Sequence, residues 1–103
     1  MHTVAETEIF QRYAASIWSE TERLEFIEWT AANPLAGDVI PGSGGCRKVR
    51  WARAGMGKRG GARVIYFDVL DGRIWLLIAY AQAKFDNLPA EFFSRLKAEV
   101  ERG

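Results

Sequence analysis

The sequence predicts a single α+β domain, residues 1–103, with the element order β-α-α-β-β-β-α. Three observations carry that prediction. Ser19 and Glu22 form a Ser-x-x-Glu capping box ahead of apolar residues at helical spacing. Two runs of β-formers, "ARVIYFDVL" and "RIWLLIAYA", meet at Asp71-Gly72, a tight-hairpin signal. Pro89 precedes Phe93, Leu96 and Val100, which make one apolar helical stripe. With 103 residues and 49% hydrophobic content, the chain can bury one modest core.

Each element follows in order. "HTVAETEIF" alternates and favours a strand over about Thr3–Phe10. "QRYAASIW" reads as a short helical turn. "SETERLEFIEWTAANP" reads as a helix with Leu24, Ile27 and Ala31 on its apolar side, stopping near Asn33 ahead of Pro34. "LAGDVIPGSGG" is rich in turn residues and reads as a connector. A strand over about Cys46–Arg53, a glycine loop "AGMGKRGG" and the two hairpin strands complete an antiparallel meander, with the helices expected on one of its faces.

Charge is unevenly placed. Residues 1–46 hold seven acids against Arg12 and Arg23, whereas residues 47–63 hold seven arginines and lysines and no acid. The net charge of +1 hides this local field, which attracts polyanions. Charged edge strands also deter aggregation, but such edges usually mix signs. Cys46 is the sole cysteine, so no intrachain disulfide forms, and a reducing cytoplasmic setting is expected. The start carries no basic segment leading into an apolar run, and "RIWLLIAYA" is too short to span a bilayer, so no membrane role is expected.

The residue inventory narrows the chemistry. His2 is the only histidine, which removes His-based triads and His/Cys zinc sites. Asp68 and Asp71 fall on different faces or in the turn, a poor arrangement for a shared metal. "GMGKRGG" lacks the Gly-Lys-Ser/Thr ending of a phosphate loop. No metal and no cofactor are expected. Period-2 alternation sends Lys48 and Arg50 to one strand face, with Arg47, Val49, Trp51 and Arg53 on the other. Arg63 opens the next strand, and Lys58 and Arg59 ride on the glycine loop between. Clustered cations of this kind suit a phosphate clamp. Tyr66, Tyr80, Trp51 and Trp75 lie on or near these strands, where rings either pack the core or stack bases. Cations alone can promote RNA cleavage, because the 2′-OH attacks its own neighbouring phosphate and arginine and lysine stabilise the developing charge.

"NPLAGDVIPGSGGCRKVRWARAGMGKRGGARVIYF" followed by "IWLLIAYAQAKFDNL" resembles the RelE/HigB superfamily of type II toxins, in its HigB-like branch. The resemblance covers nearly the whole chain, and "GGCRKVRW" with "GKRGGARVIY" is its most specific part. It implies a RelE-like fold and a ribosome-dependent mRNA endoribonuclease, an mRNA interferase, acting on mRNA in the ribosomal A site. It also implies a helix-turn-helix antitoxin of the HigA type. By position, the catalytic set would be Lys48, Arg50, Lys58 and Arg63, with Arg63 on the scissile phosphate and Lys48 or Lys58 moving the proton. Arg47, Arg53, Arg59, Tyr66, Tyr80, Gln82 and Lys84 are the candidate RNA contacts. Relatives often carry a lysine where this chain has Gln82 and an acid where it has Lys84, so no catalytic acid is expected at position 84. The alternatives are a ParE-like toxin acting on DNA gyrase without nuclease activity, and a decayed toxin that binds antitoxin or RNA without cutting.

Overall fold

The computed structural model describes residues 3–51, 61–68, 72–81 and 83–102. The chain is α+β. It runs β1 (Thr3–Glu6), α1 (Glu8–Ile17), α2 (Glu20–Ala32), β2 (Asp38–Val39), β3 (Arg47–Trp51), β4 (Ala62–Asp68), β5 (Arg73–Tyr80), a 3-10 helix (Ala83–Asn87) and α3 (Ala90–Arg102). No helix among the described residues is long and apolar enough to cross a membrane.

The first expected strand stops early. Thr7 caps α1: its hydroxyl accepts from the Phe10 backbone N–H at 3.0 Å and donates to the Leu77 carbonyl at 2.8 Å. The "short helical turn" is therefore a ten-residue helix that buries Phe10 and Ala14. The capping box of α2 forms as expected, with Ser19 and Glu22 bonded reciprocally. Its buried side is Phe26, Thr30 and Ala31, whereas Leu24 is 48% exposed.

The sheet departs from a simple antiparallel meander. Its order is β1-β5-β4-β3-β2. The expected meander β3-β4-β5 forms its centre, β1 joins β5 in parallel, and the connector contributes β2 as an antiparallel edge on β3. Nor do the helices share one face. Phe10, Ala14, Trp18 and Phe26 from α1 and α2 pack on Val49, Val64, Tyr66, Ile74 and Leu76. Phe93 of α3 packs with Cys46, Ile65, Phe67, Leu77 and Ile78 in a separate cluster. A strand as apolar as "ARVIYF" has two faces to bury, and one helical layer covers only one of them.

Two local features set which side chains reach the α3 face. In the turn before β3, Ser43 accepts from the Cys46 backbone N–H at 3.0 Å, while Gly42, Gly44 and Gly45 take positive φ. β3 then begins at Arg47, with Lys48 and Arg50 on the α3 side. In β5, Ile65 pairs with Ile78 but Tyr66 pairs with Leu76, so Leu77 is an extra residue. This bulge moves Ile78 and Tyr80 onto the α3 face; strict alternation would have kept them with Ile74 and Leu76.

Candidate phosphate-handling site

The β3–β4 register sets Lys48 opposite Ile65 and Arg50 directly opposite Arg63, and the β4–β5 register sets Arg63 beside Tyr80. Like charges directly across a ladder repel. The 3-10 helix supplies the compensating anion, Asp86. Its Oδ2 lies 3.2 Å from Arg63 Nη2, its Oδ1 lies 3.8 Å from Lys48 Nζ, and the Tyr80 hydroxyl donates to Oδ1 at 3.2 Å. Asp86 was not among the expected site residues; the resemblance bears on an acid at position 84 instead. The signal was present as an acid six residues beyond Tyr80, but nothing local shows that the segment folds back onto β3 and β4.

Arg63 is only 5% exposed. Its Nη1 donates to the carbonyls of Gly61 and Ala81, each at 3.3 Å, and its Nε is buried without a hydrogen-bond partner among the described residues. Arg63, expected on the scissile phosphate, is paired here with an internal carboxylate. Its charge is directed at Asp86, so it holds that carboxylate in place. Arg50 is exposed, and Lys48 is half-buried with its Nζ turned to Asp86.

Tyr80 is buried, and burial is the main cause that pushes its hydroxyl up to about 12. The Asp86 charge and the hydrogen bond to it push the same way, against Arg63 and Arg50. Tyr80 thus stays protonated and serves as a donor to Asp86. It does not act as a base.

Other expected contacts lie elsewhere. Tyr66 is fully buried on the opposite face. Its hydroxyl accepts from Gly37 N–H at 2.9 Å and donates to the Pro34 carbonyl at 3.0 Å, so both ring and hydroxyl are engaged inside the fold. Arg47 is on that face too, donating to the Gly37 carbonyl at 2.7 Å. Trp51 packs edge-on to Phe26 at 5.5 Å. Lys84 falls on the 3-10 helix, but its side chain is outside the described residues, as are Arg53, Lys58, Arg59 and Gln82. Cys46 is buried, and that burial raises its thiol pKa above 9.0, which makes it a poor nucleophile. Among the described residues no group of three or more His, Cys, Asp or Glu could hold a metal ion. No family model matches the chain.

The arrangement can receive a phosphate. The exposed Arg50 and the partly exposed Lys48 offer charge-assisted donors, and a fixed carboxylate beside them can accept a proton.

Proposed function

We propose that this chain is a metal-independent endoribonuclease that cuts mRNA on the ribosome, the toxin of a cytoplasmic type II toxin–antitoxin pair with a RelE-like fold and a HigA-like antitoxin. One observation carries the reading: the β3–β4 register and the β5 bulge gather Lys48, Arg50, Arg63, Tyr80 and Asp86 on one sheet face. The resemblance of "GGCRKVRW" and "GKRGGARVIY" to HigB-like toxins supports it, as do the central β3-β4-β5 meander and the acid-free cationic segment.

The roles follow from position. Arg50 and Lys48 neutralise the non-bridging phosphate oxygens as charge develops. Asp86 accepts the proton of the attacking 2′-OH, and Lys48 protonates the departing 5′ oxygen. A proton passing from Asp86 back to Lys48 resets the pair. Arg63 and Tyr80 hold Asp86 in register.

A translation extract tests the reading. Mapping mRNA 5′ ends should show ribosome-positioned cuts with the wild type and their loss with Arg50→Ala and Asp86→Asn. The burial of Arg63 against Asp86 favours a second reading, a decayed toxin that binds RNA or antitoxin without cutting. Intact mRNA with retained antitoxin binding would select it. Intact mRNA with blocked DNA supercoiling would select a ParE-like gyrase poison.

A further inference from the structure

We propose that the apolar pocket beside Asp86 is the seat of one unstacked nucleobase of single-stranded RNA. The inference rests on the RNA-cleaving reading above and names how that site holds its substrate. The pocket has a volume of about 110 Å³ and is lined by Tyr13, Ile78, Tyr80, Phe85, Leu88 and Phe92. Four of these six are aromatic and come from four elements: α1, β5, the 3-10 helix and α3. No charged side chain lines it among the described residues. Tyr13 and Phe92 are 43% and 36% exposed, so ring surface is open to a ligand at the rim. Aromatic rings of this kind stack unpaired bases whatever their identity.

The occupant is chosen by what adjoins the pocket. Tyr80 belongs to both places: its ring lines the pocket, edge-on to Phe85 at 5.9 Å, while its hydroxyl lies on Asp86. One tyrosine side chain therefore separates the apolar seat from the Lys48 and Arg50 charges, much as a ribose separates a base from its phosphate. A purely apolar ligand would leave that positive edge unused. Phe92 also lines a larger cavity of about 440 Å³ along α3, but Arg95 and Glu99 both line it, so it has no unopposed cationic edge like that of Lys48 and Arg50. The base seat is thus at the Tyr80 end. Among the described residues its hydroxyls come from Tyr13 and Tyr80, and the latter is bonded to Asp86, so the seat holds a base chiefly by its rings.

Binding of a short, uncleavable 2′-O-methyl single-stranded RNA to the full chain, followed by fluorescence anisotropy, tests this. The oligonucleotide is compared with a set carrying one abasic nucleotide at each position in turn. One abasic position should weaken wild-type binding about tenfold. Phe92→Ala and Tyr13→Ala should each weaken the intact oligonucleotide by a similar factor and be insensitive to that abasic position. Phe92→Trp should restore both the affinity and the sensitivity, which excludes a folding defect. Equal abasic sensitivity in wild type and Phe92→Ala, or an unchanged affinity in Phe92→Ala while Arg50→Ala loses binding, overturns the base seat and spares the RNA reading. If neither Arg50→Ala nor Phe92→Ala alters affinity, the RNA reading falls and the seat with it. A change of oligomeric state in Phe92→Ala with RNA affinity intact would make the pocket a protein interface and also overturn the proposal.

Discussion

Asp86 meets Arg63, Lys48 and Tyr80 at once, and its removal should be felt both in stability and in chemistry. Asp86→Ala leaves the Arg63 guanidinium buried without its countercharge, a loss of about 3 kcal/mol, the lower end of the range because the carboxylate is partly exposed. Urea unfolding checks the figure, and Asp86→Asn, which keeps a hydrogen-bond acceptor, should lose less. Tyr80 gives a pH signature. Its folded pKa of about 12 exceeds the ordinary 10.0, so below pH 10 the hydroxyl is neutral in both states and its contribution is intact. As pH rises from 10 toward 12, the unfolded chain sheds its proton first and stability falls, by at most about 2.7 kcal/mol. Tyr80→Phe should remove that part of the alkaline loss. A remainder should persist, because burial also raises Tyr66. Lys48, Arg50 and Arg63 were legible in the sequence because period-2 alternation fixes their face. Asp86 was not, because its place depends on a chain reversal after β5 that no residue near it announces.

At the scale of elements, caps and a bulge decide what the site contains. Thr7 caps α1, whereas the alternation of "TVAETEIF" favoured a strand through Phe10. The tertiary bond from Thr7 to Leu77 favours the helix. Thr7→Ala should cost about 1–2 kcal/mol by chemical denaturation, more than an isolated cap, because it also frees a carbonyl of β5. The bulge at Leu77 has no residue signature; it exists only in the pairing of β5 with β4. Deleting Leu77 restores strict alternation and sends Tyr80 toward α1 and α2. The expected result is loss of cooperative unfolding, read by circular dichroism. Gly37 is constrained by contact: a Cβ there would meet the Tyr66 hydroxyl at 2.9 Å, so Gly37→Ala should destabilise the connector that carries β2.

Across the whole molecule, the acidic first half packs its helices on one sheet face, while the described cations of the site, Lys48, Arg50 and Arg63, gather on the other beside α3. The basic segment between two acidic flanks was plain from the sequence. The helices were expected on one face, although the unbroken apolar run of β4 calls for cover on both, and the parallel placement of β1 depends on a long-range pairing that composition does not encode. If this face grips RNA through phosphates, affinity falls steeply with salt, and Arg50→Ala should flatten the slope of log affinity against log salt by about 0.7. The central claim is that a 2′-OH attacks a phosphate held against Lys48 and Arg50. The most direct measurement is cleavage of a ribosome-bound mRNA carrying a single 2′-deoxynucleotide at a mapped cut. Loss of that one cut, with neighbouring cuts retained and cyclic-phosphate ends on their products, is the predicted result. Undiminished cutting at the deoxynucleotide would contradict the account.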